Sequence, residues 1–338
     1  MSARTDHAAT FLARAGWAEA ARDPLAGDAS RRSYTRLARG ADRAILMDAP
    51  PDAEQDVRPF VAMAADLAAR GLSVPDILAQ DLEQGFLLLE DLGDDTYARV
   101  TAADPASEPA LYAAAAEALA RMQADPPPDL PRYTDQMPGL AALAIDWYAP
   151  EAAAHRTALT DAMAEALTHP AVTEEVLVHR DYHADNLIWL PDRAGLARVG
   201  MLDFQDAMRG PRDYDLASLI HDPRRVVTPA ARSAALAAWQ AATGRDAETT
   251  AAGVAICSAQ RCLRILGVFA RLCLRDGKPR YPDFIPATWA ALQTDLTHSA
   301  LTGLRAVVEA ALPPPSPDRL DAIRARAGTL AGQERAAP

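Results

Sequence analysis

Short alternating and apolar runs crowd the first quarter of the chain, and helical spacing fills most of the rest. After an amphipathic opening segment, Ser33-Tyr34-Thr35-Arg36-Leu37 alternates and Arg43-Ala44-Ile45-Leu46-Met47 forms a second run. The turn between these two strands is Arg39-Gly40-Ala41-Asp42. Residues 59–70 repeat apolar positions at helical spacing, with Phe60, Met63 and Leu67 on one face and Gly71 as the stop signal. Residues 74–79 and 85–89 read as further strands, and this small mixed lobe ends near Leu92-Gly93.

Beyond that point the character changes. An alanine-rich helix over 110–123 leads into a proline-rich connector over 125–138, and helical patterns fill 140–168. Strands over 175–179, 187–190 and 197–203 follow, the last two joined by a turn at 191–195. Helices are expected over 214–220, 229–243, 249–275, 287–311 and 318–331. The expected architecture is α+β, with a small strand-rich lobe over 1–92 and a large, mainly helical lobe over 93–338. No internal repeat and no low-complexity tail interrupts this plan. Layout of this kind does not by itself assign a function.

Composition narrows the partners. The chain has 338 residues, enough for two lobes with sizeable cores. Its 34 basic and 46 acidic residues leave a formal net charge of -12, which gives no electrostatic reason to bind nucleic acid or an anionic membrane. The opening residues lack the uninterrupted apolar core of a signal peptide, and no uncharged stretch reaches the length of a membrane span. Three cysteines, Cys257, Cys262 and Cys273, sit on one helical segment in no metal-binding spacing. They read as core thiols in a reducing compartment, so a cytoplasmic location is expected. A monomer is favoured, though no sequence feature fixes the oligomeric state.

The densest chemistry lies in His179-Arg180-Asp181-Tyr182-His183-Ala184-Asp185-Asn186, an H-R-D run followed by four residues and Asn, between two strands. Phosphoryl transfer needs a carboxylate to orient an attacking hydroxyl and accept its proton. It also needs oxygen ligands for a magnesium ion that neutralises phosphate charge. Leu202-Asp203-Phe204-Gln205 ends the strand after the hairpin, where a second metal carboxylate is expected. Gly210-Pro211-Arg212-Asp213-Tyr214-Asp215 opens a helix, and a carboxylate there can cap it or hold the backbone of the preceding loop.

These three motifs resemble the aminoglycoside phosphotransferase and choline kinase superfamily, whose usual pattern has His-Gly-Asp where this chain has His179-Arg180-Asp181. The likeness covers about residues 25 to 280 and implies a two-lobed protein-kinase-like fold using ATP and Mg2+. Within the superfamily the chain is most similar to bacterial kinases that phosphorylate N-acetylmuramate and N-acetylglucosamine at C1 in cell-wall recycling. Arg31-Arg32-Ser33-Tyr34, Leu88-Leu89-Glu90-Asp91-Leu92-Gly93 and Arg275-Asp276-Gly277-Lys278-Pro279 are among the segments that carry the narrower likeness. The resemblance implies that Asp181 is the catalytic base and that Asn186 and Asp203 hold the metal. By their positions, His179 beside the base and Asp215 at the helix start are expected to support the catalytic loop. Between Asp203 and the helix near Tyr214 there is no room for the activation segment of a protein kinase, so the acceptor is a small molecule.

The chain departs from that pattern where the phosphates bind. Its single lysine is Lys278, and the strand run at 44–47 carries no basic residue. Arg31 or Arg32, helped by the hydroxyls of Ser30 and Ser33, is the expected replacement, because a guanidinium offers a fork for phosphate oxygens. Adenine is expected against the connector at 88–92, with Glu90 and Leu92 at its end. Acceptor candidates are His183, Gln205, Arg209, Arg212 and Arg224, with Asp206, Arg225 and Arg264 nearby. Two other functions stay open: an aminoglycoside or amino-alcohol kinase, which the acidic charge would suit, and a catalytically silent nucleotide-binding scaffold.

Overall fold

In chain order, a computed structural model describes residues 3–25, 32–51 and 56–332. Helix α1 (Ala3–Arg14) precedes strands β1 (Ala21–Pro24), β2 (Ser33–Arg39) and β3 (Asp42–Asp48). Then come helix α2 (Arg58–Ala69), strands β4 (Ile77–Asp81) and β5 (Phe86–Glu90), and helices α3 (Tyr97–Ala103), α4 (Glu108–Met122), α5 (Met137–Ala141) and α6 (Arg156–Ala166). Strands β6 (Glu175–Val178), β7 (Leu187–Trp189), β8 (Val199–Met201) and β9 (Met208–Pro211) follow. Helices α7 (Tyr214–Ile220), α8 (Pro229–Thr243), α9 (Ala247–Leu274), α10 (Ile285–Asp295), α11 (Thr302–Ala311) and α12 (Pro317–Ala325) complete the chain.

These elements form two compact units, Met1–Pro105 with Ala184–Asp206, and Ala106–His183 with Ala207–Pro338. The division differs from the single boundary expected at 92/93, because the β7–β8 hairpin is stitched by backbone bonds to the first unit. The Met201 amide donates to the Ser73 carbonyl at 2.8 Å, and the Trp189 amide donates to the Asp95 carbonyl at 2.8 Å.

In the first unit, a five-stranded antiparallel sheet runs in the order β1-β2-β3-β5-β4. The β2–β3 register pairs Ser33 with Asp48 and Arg39 with Asp42, closing the hairpin through Gly40 at a φ of +62°. Alternation decides the buried face. Leu37, Ala44, Leu46, Phe86 and Leu88 pack against Phe11, Leu12 and Trp17, and the Phe11 and Phe86 rings stack at 5.6 Å. Each large side chain buried there contributes about 1.5–3 kcal/mol. Strand β1, unforeseen in the sequence, is an exposed edge with no apolar alternation to announce it. Arg36 on β2 ties the connector down, bonding both carboxylate oxygens of Asp91 (2.7 and 3.1 Å) and of Asp94 (2.9 and 2.9 Å).

The second unit is built around α9, whose 28 residues carry buried side chains on most of their positions. By length and apolarity α9 could cross a membrane, but 83% of its most apolar window is buried inside the protein, as in a core helix. Glycines let it sit tightly. A Cβ on Gly253 would lie 2.0 Å from an Asp213 oxygen, and one on Gly267 would lie 2.2 Å from the Leu143 carbonyl. The β6–β9 ladder is the second unit's two-stranded sheet. β9 itself was not expected, and neither was the break between α10 and α11. There the His298 ring accepts from the Ala300 amide at 3.2 Å and starts a new turn. Expected helix over 140–168 is interrupted by a wide turn at Ala144–Tyr148 and a tight one at Pro150–His155.

Candidate active site

Strand β6 delivers the chain into the His179–Asn186 loop. The boundary between the two units falls inside that loop, after His183. The loop's first half is fixed by Asp215, which sits in the first turn of α7 and is fully buried. Its carboxylate accepts the His179 amide at 2.6 Å and the Arg180 amide at 2.9 Å. Arg180 itself stands at a φ of +77°, and Nη1 of Arg261 donates to its carbonyl at 3.2 Å. Left-handed backbone costs a non-glycine residue about 1–3 kcal/mol, so this turn persists because its partners over-determine it.

Asp181 follows directly. Burial alone would push its carboxyl up. Arg264 and Arg261, the leading opposing charges, outweigh that effect and hold it below the usual carboxylate range. Both arginines come from α9, one turn apart. Nη1 of Arg264 lies 3.5 and 3.4 Å from the hydroxyls of Tyr133 and Tyr214, which bond each other at 3.0 Å. The Arg180 guanidinium lies over the Tyr133 ring at 4.9 Å. Nη1 of Arg224 donates to Nε2 of His183 at 3.0 Å. Burial, with Arg224 and Arg261 beside it, pushes the imidazole down to about 3, so it stays neutral.

In the first unit, the hairpin sets Asn186 beside Leu202. The Leu202 amide donates to the Asn186 carbonyl at 2.9 Å, continuing the Leu187–Met201 register. Asp203 comes next, at a φ of +61°. It and Arg180 are the only non-glycine residues with positive φ among the described residues. Behind it, Phe204 is buried with its ring 4.7 Å from that of Phe60 on α2. Nε2 of Gln205 donates to Oδ1 of Asp203 at 2.7 Å and to Asp206 at 3.3 Å. Arg32 hydrogen-bonds the Tyr34 hydroxyl, and Asp203 lies close enough to that hydroxyl to disfavour its ionisation, after the larger effect of burial. The donors offered by Asn186 and Asp203 are all oxygen, which suits a hard cation such as Mg2+.

Several expected residues have other work. Glu90 takes Nη2 of Arg193 at 2.5 Å and the Asp76 amide at 3.3 Å, so its side chain serves the fold. Arg212 pairs with Glu174, which also meets Arg245, the partner of Asp213. Gln205 serves Asp203 in this structure. Arg209 lies in β9, its amide and carbonyl bonded to Pro131 and Tyr133. Arg225 pairs with Glu108 at 3.1 Å. Ser33 is exposed at the start of β2 and Leu92 is half-buried beyond β5, while Ser30 and Arg31 lie outside the described residues. Sequence reasoning missed Arg261 and Tyr34. A signal existed for the first: Arg261 and Arg264 are two charges at i and i+3 in the middle of a largely apolar helix.

Residues 22–252 match the phosphotransferase enzyme family. A Caulobacter vibrioides protein named N-acetylmuramate/N-acetylglucosamine kinase is 40% identical, over 88% of this chain and 94% of its own. A Pseudomonas aeruginosa protein of the same name is 37% identical, over 82% of this chain and 86% of its own. Among solved structures, a choline/ethanolamine kinase family protein from Mesorhizobium loti superposes with a TM-score of 0.61 at 17% identity, covering 91% of this chain and 99% of its own. An aminoglycoside phosphotransferase solved with ADP bound gives 0.58 at 14% identity, over 87% of this chain and 98% of its own. The expected kinase-like fold is therefore present, a small antiparallel-sheet unit accompanied by a large helical one.

Proposed function

The chain belongs to the phosphotransferase enzyme family, and we propose that it transfers the γ-phosphoryl group of ATP to the C1 hydroxyl of N-acetylmuramate or N-acetylglucosamine. The observation that carries this reading is Asp181, half-buried and kept ionised by two α9 arginines in a chain 40% identical to a kinase of those sugars.

Asp181 receives the proton of the acceptor hydroxyl as that oxygen bonds to the γ-phosphorus. The bond to the β,γ-bridging oxygen breaks and ADP leaves. A carboxylate held below its ordinary range is a weak base, so it chiefly orients the hydroxyl and takes the proton late. Asn186 and Asp203 would hold Mg2+, which when bound neutralises phosphate charge. Gln205, by engaging Oδ1 of Asp203, fixes the direction of that carboxylate. Arg32, in a chain whose only lysine is Lys278, would take the phosphate oxygens, with Ser30, Arg31 and Ser33 beside it in sequence. Backbone groups at Glu90 and Leu92 would meet adenine. Among the acceptor candidates His183 and Arg224, bonded together beside Asp181, are best placed for the sugar. This chemistry belongs in the cytoplasm, where ATP is made.

An aminoglycoside or amino-alcohol acceptor is disfavoured by Arg261 and Arg264, because two fixed cations next to the base repel a cationic substrate. The test is ATP consumption by purified protein with magnesium, offered N-acetylmuramate, N-acetylglucosamine, glucose, kanamycin and choline in parallel. Turnover on the two N-acetylated sugars, with loss of their reducing ends, is expected. Turnover on kanamycin or choline alone would overturn the acceptor. ATP binding without turnover on any of the five would favour a silent scaffold.

A further inference from the structure

Within the second unit, a cavity of about 300 Å3 opens among the turn after α7, the start of α8, the middle of α9 and α10. Its lining includes His221, Asp222, Arg225, Arg232 and Arg261, against an apolar wall that includes Ile265. We propose that this cavity is a carboxylate-accepting subsite, in which Arg232, with Arg261 behind it, takes the lactyl carboxylate of N-acetylmuramate. The proposal deepens the acceptor reading above and rests on it.

Arg261 makes the cavity adjacent to the chemistry. It lines the cavity, its Nη1 donates to the Arg180 carbonyl at 3.2 Å, and its charge acts on Asp181. A group seated there is separated from the base by one guanidinium. A small sugar can therefore place a hydroxyl at Asp181 and an acidic arm in the cavity.

The cavity's own carboxylate, Asp222, accepts the Arg224 amide at 2.9 Å. Arg225 is committed to Glu108 at 3.1 Å. Arg232 makes no ion pair among the described residues, and its buried Nε meets no hydrogen-bond acceptor there. Asp295, on which the Arg232 charge acts, takes the Ser258 hydroxyl, and burial raises its carboxyl to about 7. Burial and the positive charges of Arg232 and Arg261 push His221 down to about 4. Its Nδ1 bonds Ser258 at 2.7 Å, and a neutral ring adds no charge of its own. An unpaired guanidinium in a partly desolvated pocket calls for an anion, and a carboxylate matches its fork. N-acetylglucosamine has no such arm and would leave the subsite to water.

The test compares kcat/KM for the two sugars in the unaltered protein, Arg232→Met and Arg232→Lys. Arg232→Met keeps the aliphatic stem and is expected to lower kcat/KM for N-acetylmuramate about tenfold or more, chiefly through KM, with N-acetylglucosamine within twofold. Arg232→Lys should recover part of the loss. A second arm needs no variant: the carboxamide of N-acetylmuramate should be about tenfold poorer than the acid in the unaltered protein, and no poorer in Arg232→Met. Equal losses on both sugars, no loss on either, or an acid and amide that perform alike would overturn the subsite alone. Turnover of neither sugar by the unaltered protein would overturn the acceptor reading, and the subsite with it.

Discussion

The amide of Arg180 donates to Oδ1 of Asp215 at 2.9 Å, and it does so from a backbone held at a φ of +77°. The buried carboxylate thus stabilises a turn that the residue's own side chain disfavours. Asp215→Asn leaves one carbonyl oxygen for two amides. A loss of about 1–3 kcal/mol in urea-denaturation stability is expected, with a parallel fall in turnover. Full stability in that variant would show that other contacts hold the turn.

Asp181→Asn removes the proton acceptor and keeps the side chain's shape. Turnover should fall by about two to four orders of magnitude, with nucleotide affinity by calorimetry unchanged. A drop of less than tenfold would remove Asp181 from the role of base.

Asp203 carries strain for the sake of its carboxylate. Asp203→Gly relaxes the left-handed backbone, so thermal unfolding should show a protein at least as stable as the original. The same variant should lose magnesium-dependent ATP binding and turnover, measured by titrating the metal. Unchanged magnesium dependence would remove Asp203 from the metal site.

Arg32 and Tyr34 act as a pair. Arg32→Ala is expected to raise the ATP KM about tenfold, the size of a lost charge-assisted hydrogen bond. Tyr34→Phe should raise it less, because it removes only the partner that steadies the guanidinium. An ATP KM untouched by Arg32→Ala would leave the phosphates to other groups.

Asp295 makes stability depend on pH in a direction opposite to that of a carboxylate paired with a cation. Burial raises its pKa from 3.8 to about 7, so the folded chain keeps a proton that the unfolded chain has lost. Stability from this group is present below the unfolded pKa and declines as pH rises from about 4 to about 7. Chemical denaturation at pH 5 and pH 8 should find the decline reduced in Asp295→Asn.

Much of this was legible because the informative residues declare themselves locally. The β2 and β3 alternation, the α2 face of Phe60, Met63 and Leu67, and the 179–186 and 202–205 motifs all appear within a few residues of sequence. What escaped depends on distant partners. β9 exists because β6 lies beside it, and the first unit claims the β7–β8 hairpin through Ser73 and Asp95. The ion pair of Arg212 with Glu174, 38 residues earlier, was beyond local reading for the same reason. Arg261 was hidden by its surroundings, a charge on a helix otherwise read as core.

Helix α9 is indexed at both ends. Gly253 meets Asp213, Gly267 meets Leu143, and Arg261 and Arg264 lie between these two contacts. One residue inserted between the glycines would rotate everything beyond it by about 100° and advance it by about 1.5 Å. Either the second glycine would lose its seat or both guanidiniums would swing away from Asp181. Point substitutions along this stretch can be absorbed one at a time, whereas a change in its length would shift the whole gauge against which the base is set.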